Sequence, residues 1–145
     1  MRSTMMLAGM AFAGLMAAAI PASAETVNYK AMIMPSSEVP PVTNSQGMGQ
    51  LAATYDTGSK MLSYGVSYSG LTGPATAAHF HGPAPVGKNA GVMVPINGDL
   101  ASPIKGMVTL TDEQAKALTD GDMYFNVHTA ANKGGEMRGQ VVKAN

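Results

Sequence analysis

Apolar and polar positions alternate with a period of two along most of this chain. In MGQLAATY (residues 48–55), Met48, Gln50, Ala52 and Thr54 fall on one side, and Gly49, Leu51, Ala53 and Tyr55 on the other. Turn-forming DTGS follows, and KMLSYGVSYSG (residues 60–70) resumes the alternation. Two alternating runs joined by a short glycine-containing turn predict a β-hairpin. Further strands are expected over residues 27–33, 76–81, 91–96, 105–110, 123–128 and 136–142, with Asn97-Gly98 as another turn. One stretch breaks the period. In TDEQAKALTDG, Thr111 and Gln114 form a capping box, Ala115 and Leu118 follow at helical spacing, and Gly121 supplies the stop. A helix of about two turns is expected there. Many short strands with one helical connection predict an antiparallel Greek-key β-sandwich of seven to eight strands with one short helix.

The N-terminus is of another kind. Arg2 precedes an apolar run from Met5 to Ile20, Pro21 breaks it, and Ala22-Ser23-Ala24 offers a small-residue cleavage site. This reads as a signal peptide over residues 1–24, with a mature domain over residues 25–145. The run is shorter than the ~20 residues a spanning helix requires, so no membrane span is expected after its removal. An exported product, periplasmic or secreted, follows. The mature domain keeps all nine acidic residues but loses Arg2, for a net charge near −1. That balance excludes the basic footprint of a nucleic-acid binder. With no cysteine, disulfide staples, thiolate metal sites and cysteine nucleophiles are excluded as well.

All three histidines fall in two short motifs, HFHGPAP (residues 79–85) and NVHT (residues 126–129). On a strand, His79 and His81 share a face ~6.5–7 Å apart while Phe80 points the other way, into the core. In MYFNVHT, alternation puts Tyr124, Asn126 and His128 together, opposite Met123, Phe125 and Val127. Pairing these strands brings His128 beside the H-x-H pair. Neutral imidazole is the commonest protein metal ligand. A three-nitrogen site suits copper, and zinc less well. His79, His81 and His128 are therefore the candidate ligands, with accessible imidazoles expected at His79 and His81.

Methionine is the second unusual count, at thirteen, although Met1, Met5, Met6, Met10 and Met16 lie in the N-terminal segment. Met61, Met93, Met107 and Met123 fall in strand patterns as adaptable core fillers. Met34 and Met137 stay open as thioether ligands. In GGEMRGQ, Arg138 is the only arginine of the mature domain, and Glu136 lies two positions before it, on its face if the strand is regular. An Arg138–Glu136 ion pair is expected, set against a guanidinium that steers an anion to the metal. Arg138, Glu136 and Asn126 are the candidate supporting groups around the ligands.

EVPPV, AAHFHGPAP, DMYFNVHT and GGEMRGQVV, in this order and spacing, resemble the CHRD domain family, over about residues 32–142. The resemblance implies an extracellular or exported module and no particular enzymatic activity. A fainter architectural likeness is to copper-zinc superoxide dismutase, through the order of His79, His81, His128 and Arg138. A fourth histidine, the zinc ligands and the bracing disulfide of that enzyme have no counterparts here. Three functions remain open. One is an exported copper protein for storage, delivery or buffering, with a periplasmic or extracellular protein partner. Another is a structural or adhesion module without metal. The third is a copper redox enzyme. No serine–histidine–acid arrangement, phosphate loop or carboxylate pair points to hydrolysis.

Overall fold

The computed structural model describes residues 23–145. The predicted signal peptide therefore lies outside the described residues, apart from Ser23 and Ala24. No helix among the described residues is long and apolar enough to cross a membrane.

The alternating runs become strands, in the order β1 (Thr26–Ile33), β2 (Met48–Asp56), β3 (Met61–Ser69), β4 (Ala75–His81), β5 (Val92–Pro95), β6 (Ile104–Thr109), β7 (Tyr124–Thr129), β8 (Met137–Gln140) and β9 (Val142–Lys143). A five-stranded sheet has the order β6-β3-β2-β1-β9, and a four-stranded sheet the order β5-β4-β7-β8. All pairings are antiparallel. β6 returns beside β3, and β7 beside β4, so the chain passes repeatedly between the layers. The described residues thus form an all-β sandwich with nine strands rather than seven or eight. The extra one arises because the predicted strand over residues 136–142 divides. β8 pairs with β7, Val141 turns into the core, and β9 joins β1 in the other sheet.

Inner-face residues of the two sheets interdigitate. Leu51, Leu62, Val66 and Ile104 from one meet Phe80, Phe125, Val127 and Met137 from the other. Phe80 lies edge-on to Phe125 within its sheet and to Tyr64 across the sandwich, at 4.9 and 5.2 Å between centroids. Such aromatic pairs add ~0.5–1.5 kcal/mol beyond the area they bury. Met123 and Met137 are core residues. Met61 and Met107 correct the expectation of core fillers, because Leu62 and Ile104 take the inner positions and leave both methionines on the outer face. Met34, at a bridge to Arg138, is also partly exposed.

Helix α1 (Asp112–Asp120) connects β6 to β7. Thr111 and Gln114 make the reciprocal capping-box hydrogen bonds, and Gly121 ends the helix at φ 79°, in the left-handed region that glycine adopts at least cost. Leu118 is the buried anchor. The helix leads directly into β7, the strand that carries part of the polar cluster.

Candidate metal centre

Most strands here bury one face and expose the other, as β2 does at alternate residues. β7 does not. Phe125 and Val127 face the core, yet Tyr124 and Asn126 on the opposite face are also buried. That opposite face carries a row of polar residues across three strands. His79 of β4 pairs with Asn126 of β7, which pairs with Arg138 of β8, and His81, Tyr124 and Gln140 form the next row.

The segment between β4 and β5 folds over these rows. Gln140 Nε2 donates to the Ala84 and Gly121 carbonyls at 2.9 and 2.7 Å. Arg138 Nη2 and Nη1 donate to the Lys88 carbonyl and Asn89 Oδ1 at 2.6 and 2.9 Å. The Tyr124 hydroxyl meets the Ala90 backbone, and Asn89 Nδ2 reaches the Val39 carbonyl. A loop that buries only the side chain of Ala84 is thus fastened by side-chain donors from the sheet beneath it. The covering explains a departure from expectation. His79 is part-exposed, but His81 is only 8% exposed. It lies under the loop with its ring parallel to Tyr124, at 4.9 Å between centroids.

The three predicted ligands converge. One donor atom from each of His79, His81 and His128 lies within 4.8 Å of the others. His79 Nδ1 is 3.1 Å from His128 Nε2. His81 Nδ1 lies 3.0 Å from the Ala90 carbonyl oxygen and His128 Nδ1 2.9 Å from that of Lys133. Each carbonyl selects the tautomer protonated on Nδ1 and leaves Nε2 as the inward lone pair. Burial pushes the His79 imidazole below its ordinary range, and repulsion from His128 and His81 adds to this. Burial also lowers His81, against the opposing hydrogen bonds to Ala90 and Asn126. Both rings are therefore held in the neutral form that binds metals. The three histidines can hold a metal ion.

Arg138 and Glu136 do not pair. Glu136 precedes β8 at a bend, so strand alternation does not hold it on the face of Arg138. Instead its buried carboxylate accepts from Ser45 Oγ, the Thr72 amide, Thr72 Oγ1, Thr129 Oγ1 and Asn132 Nδ2. Burial alone would raise this carboxyl, but the bonds from Ser45, Thr129 and Thr72 outweigh it and hold it at about 2. Glu136 thereby fixes the turn after β7, whose Lys133 carbonyl orients His128. Arg138, 2% exposed, sits 3.4 Å over the Tyr124 ring, where burial and stacking suit a weakly hydrated guanidinium. It clamps the covering loop. Its two donors point to loop acceptors rather than to the histidines.

Glu38 is the residue that sequence reasoning missed. It lies just after a short 3-10 turn, Pro35–Ser37, and its carboxyl is buried beside Gly135 and Asn126. Burial pushes it up to about 7, against the lowering influence of Arg138 and of the nearby Asn126 amide. Its Oε1 has no hydrogen-bond partner. One signal was available: Glu38 is the only charged residue between Lys30 and Asp56.

Among families, the CHRD domain matches residues 29–141. No curated protein matches the chain, and no solved structure matches it. The likeness to copper-zinc superoxide dismutase is therefore not shown. The match spans both sheets and every residue of the polar cluster, and the chain belongs to the CHRD domain family.

Proposed function

We propose that this chain is an exported metal-binding protein that holds copper through His79, His81 and His128, for storage, delivery or buffering. One observation carries the reading. Two of the three imidazoles have Nδ1 on a backbone carbonyl, at Ala90 and Lys133, so their Nε2 atoms turn inward toward His79 Nδ1. Outer carbonyls that fix the tautomer and ring orientation are the usual companions of metal-ligating histidines. Copper is favoured over zinc because divalent affinity at a nitrogen-rich site peaks at Cu(II). Export rests on the positively charged start, apolar run and A-x-A site of residues 1–24.

Calorimetric titration of the purified protein with Cu(II) and with Zn(II) tests the binding. One equivalent should bind, copper more tightly, and the variant carrying His79→Ala, His81→Ala and His128→Ala should lose that site. Equal binding by that variant would overturn the assignment, and no binding by the wild type would leave a structural module. Cell fractionation with N-terminal sequencing tests export, with Glu25 the expected first residue.

A further inference from the structure

Three histidines leave a four-coordinate ion one ligand short, and the polar cluster holds an oxygen in the fitting place. We infer that Asn126 Oδ1 is the fourth ligand, completing a site of three imidazole nitrogens and one amide oxygen for a divalent first-row ion. The inference rests on the three-histidine reading and extends it.

Two independent observations support it. The first is a count of hydrogen-bond donors. Asn126 Oδ1 lies 3.0 Å from His81 Nε2 and 2.9 Å from His128 Nε2. Each of those rings already faces a carbonyl oxygen with its Nδ1. A neutral imidazole has one N–H for its two nitrogens. Each ring is therefore flanked by two oxygen acceptors and satisfies one, leaving a nitrogen lone pair directed at an oxygen lone pair. A divalent ion between Asn126 Oδ1 and the two Nε2 atoms removes both conflicts at once. Rotating the Asn126 amide would remove them too, by presenting Nδ2 to the rings, but it would turn Oδ1 toward the buried Glu38 carboxyl, an oxygen facing an oxygen. Glu38 Oε1 and Asn126 Nδ2 both lie within 3 Å of the position a Cβ on Gly135 would take. Glu38 therefore acts as a positioning residue that keeps Oδ1 toward the histidines.

The second observation is size. Metal–ligand bonds of ~2.0–2.1 Å in a tetrahedron put neighbouring ligand atoms ~3.3–3.4 Å apart. Three contacts among the four proposed donors, at 3.1, 3.0 and 2.9 Å, fall within about half an ångström of that edge. The widest histidine separation, up to 4.8 Å, has to close by roughly 1.5 Å on loading. His79 is the ring that can move, since neither of its nitrogens is tied to a backbone carbonyl, unlike those of His81 and His128. A hard amide oxygen beside three imidazoles suits Zn(II) and Cu(II) and disfavours Cu(I), which prefers sulfur.

Titration with Co(II), followed by its visible d–d absorption, tests this in the wild type and in Asn126→Ala and Asn126→Asp. Tetrahedral Co(II) absorbs much more strongly than Co(II) with added waters, so the band reports the fourth ligand. The wild type should give the intense band. Asn126→Ala should weaken the band and lower Co(II) affinity at least ~10-fold. Asn126→Asp, which keeps an oxygen donor, should retain the intensity with the band shifted. An unchanged spectrum and affinity in Asn126→Ala would overturn the inference while leaving the three histidines standing. If Asn126→Ala fails to fold, an unshifted band in Asn126→Asp overturns it. No Co(II) binding by the wild type, with Zn(II) and Cu(II) also unbound, would remove the three-histidine site itself.

Discussion

Replacing Glu136 by glutamine should destabilise the domain by ~3 kcal/mol at neutral pH, and the penalty should vanish in acid. The carboxylate accepts five hydrogen bonds through its two oxygens and is 0% exposed. Glutamine keeps the shape but turns one acceptor into a donor. Two or three of the converging donors then lose their partner, whichever way the amide is turned. The Thr72 amide cannot rotate away, and an unmet buried polar group costs ~1–3 kcal/mol. The titration gives a second route to the size. The carboxyl is held at about 2 against an ordinary 4.5, and at ~1.4 kcal/mol for each pH unit the gap is worth ~3 kcal/mol. The sign follows from proton uptake. Between those two values the unfolded chain binds the proton and the folded chain does not. The contribution is complete above about 4.5 and is lost as pH falls through about 2. Thermal unfolding by circular dichroism at pH 7, 4, 3 and 2.5 should show Glu136→Gln melting ~10 °C lower at pH 7. The gap should narrow steadily toward the lowest pH. A gap that is constant with pH, or one under ~1 °C throughout, would refute the reasoning.

Arg138→Ala should lower stability by ~3 kcal/mol, through loss of two charge-assisted hydrogen bonds and the stack on Tyr124, and should speed proteolysis within residues 82–91. Limited digestion beside a denaturant curve checks it, and unchanged stability would contradict the clamp. Gly135 has φ 123°, and a Cβ there would run into the Glu38 carboxyl. Gly135→Ala should therefore cost ~2 kcal/mol in urea unfolding. Because burial holds His79 and His81 below the ordinary imidazole range, proton competition at these two rings should begin at lower pH than it would for free imidazole, and Cu(II) affinity should fall steeply only below pH ~6.5. Competition titrations across pH 4.5–8 measure this, and an affinity already falling steeply near pH 7 would contradict it.

The sandwich was legible because one face of each sheet is apolar and the other polar, and a period of two records that directly. The histidine cluster was legible for the same reason. Alternation places His79 and His81 opposite Phe80, and His128 opposite Val127, whatever the loops do. The burial of His81 was not legible, since it depends on a ten-residue connection whose hold on the sheet is made by Arg138, Gln140 and Tyr124 to backbone carbonyls, which carry no side-chain signature. The Arg138–Glu136 pair failed because it assumed a regular strand across Gly135 and Glu136, where the backbone in fact bends. Asn126 was legible as a neighbour of His128. Its surroundings were not, because its amide nitrogen lies beside Gly135 and the buried carboxyl of Glu38, 88 positions away in sequence, from a segment with no periodic pattern.

The most direct test of the metal site is a crystal structure of copper-loaded protein, with anomalous differences collected on either side of the copper absorption edge. One peak is predicted at ~2.0–2.2 Å from His79 Nδ1, His81 Nε2 and His128 Nε2. A peak that touches fewer than two of these rings, or copper bound only elsewhere on the surface, would contradict the account.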